Sequence, residues 1–196
     1  MHIADGIVPV GICIAADAVA LGGAYLCGRK LQAEEVPKMG LMAAAVFTVS
    51  LLNFPVAGAS IHLGLFGFAG ILLGLRAFPV ILATLLFQSL VFQHGGLISL
   101  GLNTINMGAG AVAGWILWKT FAAFPSYIRA FLAGFTGILL PAFLMALEFT
   151  FSGYGKGVYY IITVYLPVAL IEGILTVLMI EFFKKARPDL LKWRKR

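Results

Sequence analysis

Long apolar stretches with almost no charge constrain this chain more than any other feature. They lie at about 7–28, 39–53, 63–75, 77–93, 107–124, 127–149 and 158–183. A helix needs ~20 mostly apolar residues to cross a bilayer, and somewhat fewer when flanking side chains reach the interface. The chain is 61% hydrophobic and 11% charged, against ~45–50% and ~25% in soluble domains. We therefore predict an all-α membrane protein, a polytopic helical bundle of about seven transmembrane helices. The count is six if Arg76 and Pro79 do not separate two spans.

The distribution of basic residues predicts the orientation of this bundle. With the N-terminus outside and seven spans, all fourteen Lys and Arg residues except Lys156 fall on the inner side. Such a bias marks the cytoplasmic face, which places the C-terminus in the cytoplasm. We expect a single multi-pass domain over 1–196 in the plasma or inner membrane. Its basic cytoplasmic tail, 184–196, would hold orientation and anionic lipid, not nucleic acid. The phosphate-loop pattern GxxxxGK[ST] is absent, so no ATPase site of its own is expected.

The same topology places all three histidines on the outer face. His2 lies at the N-terminus, His62 in the segment 53–64, and His94 at the start of the segment 94–106. Both loop segments are apolar yet rich in Gly and Asn, which favours irregular backbone over helix. Irregular backbone at membrane depth persists only where it packs in protein or lines a cavity. Two alternatives stand: the loops wall a pocket with one histidine each, or the histidines are only solvated or packed.

The first two residues offer a compact chelate for a metal ion. The α-amine of Met1, the amide nitrogen of His2 and its imidazole can wrap one ion, leaving a planar position for another imidazole. All-nitrogen tetragonal sites suit nickel(II) and copper(II), and imidazole also suits cobalt and zinc. Asp5 could orient the His2 ring or cap the helix that follows it. A signal peptide over residues 7–20 would remove Met1 and His2, but the basic start that such peptides need is missing.

Four blocks of sequence resemble one known family. They are Met1-His2-Ile3 with Asp5-Gly6; Asn53-Phe54-Pro55-Val56 with Ser60 and His62; residues 85–108; and residues 166–173. In this order they resemble the CbiM/NikM family, the substrate-specific membrane (S) components of cobalt and nickel energy-coupling-factor transporters, which are ABC-type. The resemblance covers essentially the whole chain. It implies a bundle of about seven spans with the N-terminal segment tucked inward.

The resemblance also implies a function and a set of site residues. A nickel or cobalt ion would be captured outside as the transported substrate, with no cofactor and no catalytic residue, in support of processes such as cobalamin biosynthesis. Its ligands would come from Met1, His2 and His62. Outer-shell or loop support would come from Asp5, Ser60, His94 and Asn103. The implied partners are a T-type transmembrane subunit, ATP-binding subunits, and a small accessory membrane protein.

A carboxylate in the last span is a further candidate. Glu172 lies within the apolar stretch 158–183, where a buried acid is costly and marks a functional position by default. It could bond between helices, or act in ion movement or subunit coupling. Two other classes of protein remain as alternatives. A membrane metalloenzyme would need an open coordination position and an acid or base at the site. A membrane scaffold or accessory protein would use the histidines only for packing.

Overall fold

The computed structural model describes residues 1–56, 59–155 and 157–191, and is mostly helical. Within these ranges the helices are α1 (Val10–Gly28), α2 (Val36–Leu51), α3 (Phe66–Leu73), α4 (Ala77–Phe92), α5 (Leu100–Thr120), α6 (Ser126–Phe151) and α7 (Val158–Ala186). Short 3-10 turns occupy Ala33–Glu35, Gly74–Arg76 and Pro188–Leu191. Lys156 and the end of the basic tail, 192–196, lie outside the described residues. The helical bundle is confirmed, with one exception.

The exception is a β-hairpin, so the expectation of an all-α chain is wrong at this point. Strands β1 (Asn53–Val56) and β2 (Ala59–His62) pair antiparallel, with Asn53 opposite His62. Pro55 has no N–H and is poorly tolerated inside a helix, which favours extended backbone here. Pairing within the hairpin also satisfies backbone groups that would otherwise need water. The hairpin thereby fixes His62 at the end of a strand.

Among the described residues, five segments are long and apolar enough to cross a membrane. They are α1, the continuous stretch Phe66–Phe92, α5, α6 and α7. The second of these is not one straight helix. A straight 27-residue helix would separate its ends by ~40 Å, yet the rings of His62 and His94, which flank it, are 5.8 Å apart. The chain turns back at Gly74, whose φ is +58°, so α3 and α4 run in opposite senses.

Helix α5 begins seven residues before the predicted position. Residues 100–106 are helical, although their Gly and Asn content indicated a loop. Gly101 is required because a Cβ there would overlap the backbone of Ala16 and Asp17 in α1. Its N–H donates to the Asp17 carboxylate at 2.6 Å. Asn103 and Asn106 are both buried and hydrogen-bonded through their side chains. Tertiary partners therefore offset the low helix propensity of these residues.

The centre of the bundle is the short helix α3. All eight of its residues are buried, and it packs against α5, α6 and α7. Glycines at the crossings allow direct backbone contact, because a Cβ at Gly67 would overlap the carbonyl of Ala133, and one at Gly70 the carbonyl of Ala111. Small residues allow such close approach between helices in membranes. The hairpin that carries His62 thus leads directly into this closely packed helix.

Basic residues gather at the end of the bundle away from the histidines. The buried guanidinium of Arg76 donates to the carbonyls of Cys27 and Lys30 and lies 3.5 Å from the carboxylate of Glu35. Lys38 donates to the carbonyl of Leu190 at 2.6 Å. These contacts join the end of α1, the start of α2, the turn before α4 and the chain after α7. The two faces of the bundle are therefore chemically distinct.

Candidate metal centre

Three imidazoles from distant parts of the chain meet at one point. The ring centroids of His2 and His94 are 4.2 Å apart and those of His2 and His62 are 4.9 Å apart. One ring nitrogen from each lies within 4.8 Å of the others. Two nitrogens bound to one ion at ~2.1 Å can be at most ~4.2 Å apart. Shifts of a few tenths of an ångström in ring position would therefore bring all three into the reach of one ion.

The Nε2 atoms of these rings are buried without hydrogen-bond partners among the described residues. Buried polar atoms in native proteins are almost always paired, and an exception calls for a missing partner. In His62 the other ring nitrogen, Nδ1, lies 2.9 Å from the carbonyl of Leu63. A carbonyl only accepts, so this contact assigns the proton to Nδ1 and leaves the Nε2 lone pair free. That is the tautomer in which Nε2 can bind a metal ion.

The N-terminal tail, residues 1–8, inserts into the bundle and delivers His2. Met1 is 3% exposed and Ile3 is fully buried. The N–H of Ile3 donates to the side-chain oxygen of Asn103 at 2.8 Å, and its carbonyl accepts from the Asn103 amide at 3.0 Å. The same carbonyl accepts from the hydroxyl of Ser99 at 2.7 Å and from the N–H of Gly96 at 3.1 Å. Asn103 thus clamps the tail from both sides of one residue.

Asp5 fixes the tail to the loop of residues 94–99, which we call the Gly loop. Its carboxylate accepts from the N–H groups of Leu97 and Ser99 and from the Ser99 hydroxyl, at 2.9 to 3.1 Å. The carboxylate therefore supports the start of α5; α1 begins after Pro9 without a side-chain cap. A Cβ at Gly96 would overlap the Asp5 carboxylate.

Burial keeps the nitrogens of the cluster neutral. Burial of the amine lowers the pKa of the Met1 N-terminus from 8.0 to about 4. Burial, followed by charge on His62, the Met1 amine and His94, lowers the pKa of His2 well below 6.5. The pKa of His62 and that of His94 are also lowered, again mainly by burial. Neutral amine and imidazole nitrogens are the forms that bind metal ions, so these groups release almost no proton on binding near pH 7.

Two predicted residues remain, Glu172 and Ser60, and three groups at the site were not predicted. Glu172 is fully buried in α7, and its carboxylate accepts from the N–H groups of Gly64 and Leu65, just after His62. Ser60 lies in β2 opposite Pro55, and its side chain lies outside the described part of the structure. Ser99, Gly96 and the Leu63 carbonyl were not expected at the site. Ser99 and Gly96 bond to residues of the N-terminal tail more than 90 positions away, and such bonds leave no local trace in sequence.

The chain is similar to known metal transport proteins in both sequence and fold. Residues 2–190 match the family CbiM, described as "Cobalt uptake substrate-specific transmembrane region". The chain is 33% identical to the "Cobalt transport protein CbiM" of Geobacter sulfurreducens, over 97% of this chain and 61% of that protein. It is 34% identical to a fused nickel transport protein, NikMN, of Archaeoglobus fulgidus, over 98% of this chain and 68% of that one. A crystal structure of a transition metal transporter has the same fold, with a TM-score of 0.88, 21% identity, and coverage of 95% of this chain and 93% of the other. With its apolar helices, the chain is a multi-pass membrane protein.

Proposed function

Because this chain belongs to the CbiM family of cobalt-uptake transmembrane proteins, we propose that it captures a nickel or cobalt ion as a transport substrate. The observation that supports this best is the convergence of three imidazoles, with one ring nitrogen of each within 4.8 Å of the others. A divalent cation here would give Nε2 of His62 the partner that the described residues do not supply. Ordinary packing would instead pair each of these nitrogens with a hydroxyl, a carbonyl or an N–H group.

We propose that four nitrogens hold the ion: the Met1 amine, the amide and imidazole of His2, and Nε2 of His62. The first three belong to one short segment, which the Ile3 bonds hold in place. His94 lies edge-on to His2, at 70°. We assign it to holding the His2 ring, with Asp5 and Asn103 fixing the tail. All-nitrogen coordination suits nickel(II) and cobalt better than the oxygen-binding cations magnesium and calcium.

The proposed topology has seven membrane segments, with the histidines on the outer side. The return of the chain between His62 and His94 supports separate α3 and α4 segments. The gathering of Lys30, Lys38 and Arg76 at the opposite end fits a cytoplasmic face. Within this arrangement, residues 1–196 form a single membrane domain whose tail, from residue 184, lies in the cytoplasm.

Movement of the ion inward needs a source of energy outside this chain. The sequence holds no phosphate-loop motif, so we propose partner subunits: a T-type membrane protein, ATP-binding subunits, and a small accessory membrane protein. This region forms only part of the longer Geobacter and Archaeoglobus relatives, as expected for a module of a larger assembly. An enzymatic role is disfavoured because Asp5, the acid nearest the site in sequence, is occupied by backbone N–H groups.

The proposal is tested by nickel and cobalt binding to the purified protein, with and without one alanine added before Met1. The extension moves the terminal amine away from His2 and breaks the chelate. We expect affinity to fall by more than ~100-fold, beyond the ~10–100-fold typical of outer-shell changes. The matched control adds one alanine after Arg196 and leaves affinity unchanged. Unchanged affinity in the N-terminal variant would remove Met1 from the site, and absence of binding by the unaltered protein would refute the transport proposal.

A further inference from the structure

The turn that joins His62 to α3 is held in an unfavourable conformation. Leu65 has φ +52° and ψ +22°, in the left-handed region, which is unfavourable for an L-residue with a side chain. Gly64 before it has no space for a side chain, because a Cβ would overlap the ring of Phe66. Such a conformation persists only when surrounding contacts determine it. The contacts that do so come from Glu172.

Glu172 serves α3 as a cap supplied by another helix. The first residues of any helix leave N–H groups without partners, and α3 has no side-chain cap of its own. Glu172 Oε1 lies 2.5 Å from the nitrogen of Gly64 and 3.0 Å from that of Leu65, and both N–H groups donate to it. The acid is 0% exposed, so these bonds lie in a medium of low dielectric, where they are strong.

The same contacts continue to the imidazole of His62. The N–H of Gly64 and the carbonyl of Leu63 belong to one planar peptide unit. Glu172 accepts from one side of this unit, and the carbonyl on the other side accepts from His62 Nδ1 at 2.9 Å. The hydrogen bonds therefore connect the Glu172 carboxylate, through the Leu63–Gly64 peptide, to the His62 imidazole. Partners of this kind fix the ring and raise the basicity of the nitrogen that binds metal.

We infer that Glu172 is a positioning residue for His62, acting through the Leu63–Gly64 peptide to aim Nε2 and strengthen it as a metal ligand. This inference rests on the proposed function, since it assigns a positioning residue to the metal site proposed there. It explains why a carboxylate persists in the middle of an apolar helix. The acid does not touch the ion.

The test compares nickel affinity and the nickel d–d absorption spectrum in four proteins: unaltered, Glu172→Gln, His62→Ala and the double variant. Glutamine keeps an oxygen in place but replaces the carboxyl group with an amide. We expect Glu172→Gln to weaken binding by ~10–100-fold, as outer-shell changes do, and to shift the spectrum toward that of His62→Ala. In the His62→Ala background the same change should have almost no effect, because it acts through that ring.

Two further variants complete the experiment. Glu148→Gln is the matched control, since Glu148 is another acid in a membrane helix but bonds to Asn106; its affinity should stay within about twofold. Glu172→Asp keeps the carboxyl group and shortens the side chain, and should reproduce the loss if the glutamine variant does not fold. Equal loss with and without His62, or no loss at all, would overturn the inference while leaving the metal site intact. Failure of the unaltered protein to bind nickel or cobalt would instead refute the proposed function.

Discussion

Asn103 offers a sharp test of whether the N-terminal tail is held as the structure shows. Its side chain makes both hydrogen bonds to Ile3, one as acceptor and one as donor, in a fully buried setting. In Asn103→Ala the N–H of Ile3 loses this partner. The Ile3 carbonyl keeps its bonds from Ser99 and Gly96. The change therefore acts on the docking of the tail more than on the Gly loop.

The expected magnitude follows from these contacts. A buried N–H left unpaired costs ~1–3 kcal/mol, and the loss of the second bond adds ~1 kcal/mol. Together they weaken docking of the tail by ~2–4 kcal/mol. Because ~1.4 kcal/mol corresponds to a factor of ten, the docked state becomes ~30- to 1,000-fold less favoured relative to the released state.

Hydrogen–deuterium exchange measures this directly at the amides of Leu97 and Ser99. Both amides donate to Asp5, which moves away when the tail undocks. Neither amide bonds to the Asn103 side chain. Their protection should fall by the same ~30- to 1,000-fold. Asn106→Ala is the matched control, since Asn106 lies one turn along α5 and bonds to Glu148. Equal protection in the Asn103 variant and the unaltered protein would refute the docking argument.

Two further predictions concern the metal centre itself. His62→Ala should weaken nickel binding by more than ~100-fold, and His94→Ala by only ~10–100-fold as an outer-shell change; equilibrium dialysis that found equal losses would contradict the assignment of His94. In the metal-free protein the tail should undock as the pH falls from 8 to 5. Over this range a released Met1 amine, with pKa 8.0, takes up a proton, whereas the docked amine, with pKa about 4, stays neutral. Three pH units correspond to about 4 kcal/mol, and protection of Leu97 and Ser99 that did not vary with pH, after correction for intrinsic exchange, would contradict the burial of the amine.

The sequence predicted features that depend on local pattern. Apolar length predicted the helices to within a few residues at most ends, and the topology placed the three histidines on one face. The predicted start of α5 was wrong because Gly101 and Asn103 are typical of loops. Their helical state depends on Asp17 and Ile3, which are 84 and 100 positions away. Propensity holds no information on partners at that distance.

The connection from Glu172 to His62 shows the same limit at the site. The sequence indicated that the acid was exceptional, since carboxylates are rare inside membrane helices. Its bond partners are two backbone N–H groups, and every residue except proline has one. The residue types at Gly64 and Leu65 do not distinguish them as hydrogen-bond partners of Glu172. Only the fold shows which peptide a buried acid holds.

The dense packing of α3 has a consequence for the membrane potential of the cell, because it affects whether ions can leak through the protein. At Gly67 and Gly70 the helix backbones are in direct contact. There is no room at these crossings for a hydrated ion or a continuous line of water molecules. A protein sealed in this way below its binding site would pass no current at rest, however strongly it bound its ion. Scarce metal could then be collected from outside without a leak of protons or sodium, and each ion carried inward would require the helices themselves to rearrange.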